Sequence, residues 1–147
     1  MILLCDLMKN LCISLIFSLL LFIQSCGPSQ ADLNREKREE VMALHDEVMP
    51  KLGQLKTLEK KAVQKAAELA AEDSLSQEQV KEFEILASEL DQAYEGMFVW
   101  MRQYEVEQED KSPEEVKLYL DEQMILVSEV NKNIKNVLAK ADSLLVD

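Results

Sequence analysis

The chain has 147 residues, enough for one domain with a real core. Aromatic residues make up 5% and there are 3 glycines, so the aromatic and β-branched runs and turn glycines of a many-stranded fold are missing. Ala, Leu, Glu, Lys, Gln and Val dominate, which points to long amphipathic helices. With 28 Asp and Glu against 16 Lys and Arg, the net charge of −12 repels phosphate and anionic lipid alike. That excludes nucleic-acid binding and leaves any membrane attachment to an anchor rather than a basic patch.

An apolar stretch from Leu11 to Ile23 follows Lys9 and precedes Gln24-Ser25-Cys26. It is short for a transmembrane helix, which needs about 20 apolar residues. A positive start, an apolar middle and a small residue before a cut are the grammar of a signal peptide, here residues 1–25. Met8-Lys9-Asn10 makes a better start than Met1-Ile2-Leu3. Ile23-Gln24-Ser25-Cys26 resembles a lipobox, although Gln24 is unusual at its position. Cys26 is therefore expected to carry the lipid, diacylglyceryl with palmitate-type chains, at about 0.8 kcal/mol per buried methylene. Cys5 and Cys12 leave with the signal, so Cys26 is the sole mature thiol and no disulfide framework or thiolate metal cluster is expected. Gly27, rather than Asp, follows Cys26 and favours the outer membrane, facing the periplasm. Residues 26–31 read as the lipidated cysteine and its tether, and 32–147 as the helical domain.

The first helix is expected from about Asp32 to Glu72, on Val41, Leu44, Val48, Leu52, Leu55, Leu58, Ala62, Ala66 and Leu69 at three- and four-residue steps. Pro50 lies inside it and removes the hydrogen bond to the Asp46 carbonyl, so a kink is expected there, loosened further by Gly53. Ser76 and Gln79 form a capping box with Leu75 and Val80 as its staple, opening a second helix. Its seam is Val80, Phe83, Ala87, Leu90, Tyr94, Met97, Met101 and Tyr104. A third starts at Ser112, with Pro113 at the first helical position and Glu115 closing the box. Its seam is Val116, Leu120, Val127, Val130, Ile134, Val137, Ala141 and Leu144, with Gln123 as a polar member. Short connections near 73–76 and 108–112 predict an all-α, up-down-up antiparallel three-helix bundle.

Catalytic chemistry has little to draw on. His45 is the only histidine and no partner serine is visible beside it. Gly27, Gly53 and Gly96 are scattered, so there is no phosphate-cradling loop. His45-Asp46-Glu47-Val48-Met49 lacks the adjacent Glu and second His of the zinc-protease pattern, and no Glu stands three residues before His45 as di-iron bundles require. One cluster remains. Met42, His45 and Met49 precede Pro50, while Met97, Trp100, Met101 and Tyr104 lie at the same level of the second helix and Met124 on the third. His45, Met49, Met97 and Met101 are candidate ligands for Cu(I), a soft cation, with Trp100 beside them. The plain alternative is a methionine-filled core around the proline.

The segments His45-Asp46-Glu47-Val48-Met49-Pro50-Lys51-Leu52-Gly53 and Met97-Phe98-Val99-Trp100-Met101 resemble a group of small Bacteroidota lipoproteins that carry the label "viral A-type inclusion protein". Val130-Asn131-Lys132-Asn133-Ile134-Lys135-Asn136 is similar as well. The resemblance implies an envelope location and a helical fold. The label reflects helical composition and carries no mechanism.

Two functional readings follow. In the first, the chain is a non-enzymatic envelope lipoprotein with no cofactor, held to the membrane by its anchor and acting as a helical spacer or as a binder of an envelope protein. In the second, it is a periplasmic Cu(I) or small-ligand binding protein using the His/Met/Trp cluster. Replacing Cys26 by Ala should abolish labelled palmitate incorporation and move the protein out of the detergent phase, or leave its signal uncut. Normal processing with unchanged membrane partitioning would sink the lipobox reading.

Overall fold

The computed structural model describes residues 27–72 and 77–145. The signal segment, Cys26, and the Ser76 and Leu75 half of the second capping box lie outside the described residues. The helices are α1 (Gln30–Val48), α2 (Leu52–Glu72), α3 (Gln77–Gln103) and α4 (Pro113–Leu144), with a 3-10 turn over Met49–Lys51. Together α1 and α2 occupy the span expected of the first helix, so three helical stretches pack together. Among the described residues there is no strand.

The first helix begins two residues earlier than expected, because Ser29 and Asp32 form a capping box of their own. The Ser29 hydroxyl accepts from the Asp32 N–H at 3.2 Å and the Asp32 carboxylate accepts from the Ser29 N–H at 3.3 Å. Asp is shorter than the Glu usual at this third position, yet it closes the same reciprocal pair of orphan donors. These bonds from Ser29 hold the Asp32 carboxyl below its ordinary range. The start of α4 is as expected: Ser112 accepts from the Glu115 N–H, Glu115 accepts from the Ser112 N–H at 2.8 Å, and Pro113 opens the helix.

The proline leaves a local mark. Met49 N–H still reaches the His45 carbonyl, as in an α-helix. Pro50 has no N–H to offer Asp46, and the chain tightens into the 3-10 turn before α2 starts at Leu52. The apolar phase continues across this break: Val41, Val48, Leu52, Leu55, Ala62 and Ala66 are all buried.

Packing partners change at the same place. α1 packs chiefly on α4, whereas α2 packs chiefly on α3, and α3 also packs on α4. Between α1 and α4 the contacts rise together along the chain. Asn34 donates to the Pro113 carbonyl at 2.7 Å, Lys37 pairs with Asp121 at 3.3 Å, Asn131 donates to the Leu44 carbonyl at 2.7 Å, and Lys135 pairs with Glu47 at 2.6 Å. Lys56 of α2 meets Asp91 of α3 at 3.0 Å, Lys140 of α4 meets Glu89 of α3 at 2.6 Å, and Tyr104 just past α3 lies 6.1 Å from Tyr119 of α4, ring to ring.

The seam of α3 keeps its strict sevenfold members and shifts the others. Phe83, Leu90 and Met97 are buried and Tyr104 is half-buried, as expected. The heptad phase places their companions at Ala87, Tyr94 and Met101. Both Leu86 and Ala87 are buried, then Ala93 is buried and Tyr94 half-buried, and finally Trp100 is buried while Met101 is 38% exposed. The buried face rotates along the helix because α3 leans on two neighbours at once, and a narrow two-position seam describes packing against only one.

Leu90 is fully buried. Leu90→Asp should cost on the order of 3–5 kcal/mol, by burying a charge with no partner. Glu89→Ala removes only a half-exposed pair with Lys140, worth less than about 1 kcal/mol. Melting curves that coincide for the two variants would contradict this placement of the core.

Candidate functional site

The aromatic side chains meet where α1 ends. The His45 ring lies 5.6 Å from the Trp100 ring, Trp100 lies 5.0 Å from Tyr104, and Tyr104 lies 6.1 Å from Tyr119, each pair tilted rather than stacked flat. This file connects α1, α3 and α4. Tilted rings at such separations add about 0.5–1.5 kcal/mol per pair beyond their buried area.

Of the candidate ligands, Met97 is fully buried in the core, and Met42, Met49 and Met124 are half-buried against it. Met101 stands 38% exposed at the end of α3. Pro50 is exposed in the 3-10 turn. Trp100 is buried, and Tyr104 follows one residue after α3 with its hydroxyl buried. His45 Nδ1 lies 2.8 Å from the Asp46 carboxylate, and the imidazole is only 12% exposed. A carboxylate only accepts, so Nδ1 carries the donated proton and Nε2 is the basic nitrogen of the neutral ring. Histidine thus pairs with a carboxylate, while Tyr104 meets Trp100 and Tyr119.

Among the described residues, no group of three or more His, Cys, Asp or Glu is placed to hold a metal ion. Thioethers fall outside that donor set. No helix of the described residues is long and apolar enough to cross a membrane.

Two buried asparagines tie helices together at positions that the apolar seams conceal. Asn34 is 6% exposed and ties the start of α1 to the Pro113 carbonyl. Asn131 is 4% exposed and donates to both the Leu44 carbonyl and the Glu47 carboxylate, the latter at 3.0 Å. The seam read from sequence has Val130 in its place, which is half-buried. The signal was present: Val127, Asn131, Ile134, Leu138 and Ala141 also advance in steps of three and four. Lys135 and Asn131 together hold the Glu47 carboxyl below its ordinary range. Chain family models, curated proteins and solved structures give no match to this chain.

The surface groove between α1 and the start of α4, about 280 Å³, is lined by Asn34, Arg35, Arg38, Lys111 and their neighbours. Its cations are already engaged. Arg35 pairs with Asp32 at 3.2 Å, Arg38 donates to the Val106 carbonyl at 3.0 Å, and Lys111 pairs with Glu105 at 2.6 Å. The groove is a brace for the connection between α3 and α4. Tyr119 takes part in it: its hydroxyl accepts from the Glu105 N–H at 2.6 Å, and burial raises its pKa.

Two outcomes test the clamp at the break. Asn131→Ala should cost about 1.5–3 kcal/mol, the usual range for hydrogen bonds that include a charged partner, read from denaturant unfolding. Because Glu47 ionises more readily when folded, its contribution is present above the ordinary carboxylate range, about 4. It is lost as pH falls through its lowered folded value. Glu47→Gln should therefore flatten part of the acid limb of a stability–pH curve, leaving the part set by Asp32, Glu115 and Asp121, which are lowered too. An unchanged acid limb would mean that the clamp is not formed.

Proposed function

We propose that this chain is a non-enzymatic lipoprotein of the bacterial envelope, a rod of up-down-up antiparallel helices bent at Pro50. On this reading it stands on its lipidated Cys26, in the outer membrane facing the periplasm, and works as a helical interaction or spacer module. The resemblance to small Bacteroidota lipoproteins and the signal grammar ahead of Cys26 support the location. The antiparallel arrangement is supported by contacts that run in step between α1 and α4, and in opposite sense between α3 and its neighbours.

One observation carries the reading: the helical rod begins almost at the proposed anchor. Ser29 caps α1, so only Gly27 and Pro28 stand between Cys26 and the cap. A binding domain that needed to range freely would be served by a long flexible linker. A short one transmits position and direction from the lipid to the rod. The 32 residues of α4 alone extend about 48 Å at 1.5 Å per residue.

Leu118 and Ile125 are 67% and 61% exposed and lie seven residues apart on α4. In the native host, a photo-crosslinking residue at either position should capture a discrete envelope protein if the rod is an interaction module. Adducts at neither position, nor at Val63, with the protein still membrane-bound, would leave the spacer role. Measurable turnover of an envelope substrate by the purified chain would overturn the reading altogether.

A further inference from the structure

We propose that the junction of α1 and α3 is a soft-metal site for Cu(I), with His45, Met42, Met49 and Met101 as its ligands and Trp100 as its cover. This goes beyond the spacer reading and does not depend on it.

Met42 and His45 lie on α1, and Met49 follows at once in the 3-10 turn. Met49 N–H bonds to the His45 carbonyl, so Met49 keeps helical phase with His45 despite the proline next to it. At about 100° per residue, Met42 and Met49 project within roughly 60° and 40° of His45. Both are half-buried, which gives a thioether a fixed place without sealing it. His45 is prepared as a ligand. Asp46 fixes Nδ1 as the donor at 2.8 Å and leaves Nε2 with the lone pair, the carboxylate–histidine arrangement that orients imidazoles on metals.

The other half comes from α3. Trp100 is the only tryptophan, and its ring lies 5.6 Å from that of His45. Cations are attracted to an indole face at up to about 6 Å. Met101, the next residue, is exposed although the heptad phase would bury it. Met97, one turn back, is sealed in the core and therefore drops out of the ligand set read from sequence. Thioether and imidazole donors select Cu(I) over Mg²⁺ and Ca²⁺, and a surface of net charge −12 draws cations of any kind towards it.

The test uses the full chain in detergent, titrated anaerobically with Cu(I) against the competing chelator bicinchoninate. The chain should withdraw one equivalent, with Trp100 fluorescence falling in parallel. His45→Ala should abolish uptake, and Asp46→Asn should weaken it by about 10–100-fold, as loss of an outer-shell partner does. Met101→Leu replaces an exposed side chain, leaves the melting curve unchanged and should still weaken binding. Met97→Leu should leave binding unchanged. Uptake no greater than that of a His45→Ala/Met49→Leu/Met101→Leu variant would overturn the site. So would full competition by Zn(II), or equal loss on Met97→Leu and Met101→Leu.

Discussion

Pro50 has no N–H, and the Asp46 carbonyl has no donor from its own helix as a result. An unsatisfied carbonyl is tolerable where water can reach it and costly where it cannot. The chain keeps this turn on the surface, with Asp46, Glu47 and Pro50 all exposed. The buried face meanwhile runs on through Val48 and Leu52 without losing phase. The break sits between the segment that packs on α4 and the segment that packs on α3. One long helix could not follow both partners over its whole length as closely as two shorter ones do. The methionines near the break suit such a place, because an unbranched thioether fills gaps that a branched side chain would leave.

Polar groups fix what apolar burial leaves free. Apolar side chains stabilise the contact between α1 and α4 but tolerate a slip of one turn. Asn34 and Asn131 do not, since each donates to one particular carbonyl across the interface. A buried asparagine sets register in coiled coils in the same way, at some expense in stability. The acidic surface is also locally organised. Asp32 and Glu115 cap helix starts, and Glu47, Glu89, Asp91 and Asp121 meet lysines of a facing helix.

The strict repeat Phe83, Leu90, Met97 could be read from the sequence because sevenfold spacing and full burial coincide there. Trp100 could be read only as a neighbour of the seam. Its indole and the thioether of Met101 compete for one face, and position in the heptad favoured the methionine. The fold settles the choice through neighbours that sequence does not name: His45 on one side and Tyr104 on the other. Asn131 is hidden in the sequence, because an amide inside a run of Val and Ile looks like an exception until the Leu44 carbonyl is opposite it. The Ser29 cap is hidden too, because the residues after Cys26 read as linker. The chemistry of individual residues was legible, and the pairing of distant ones was not.

The exchange of partners at Met49–Lys51 has a consequence for how the protein opens. α1 is coupled to α4, and α2 to α3, with α4 and α3 joined to each other. Loss of α1 leaves α2 and α3 packed on each other, with Leu55 on one and Leu86 and Leu90 on the other among the buried residues. Cooperative units of native proteins follow such divisions of contact. The end of the molecule beside Ser29 can therefore open as a unit of its own, its amides exchanging with solvent through a partial unfolding that spares the far end.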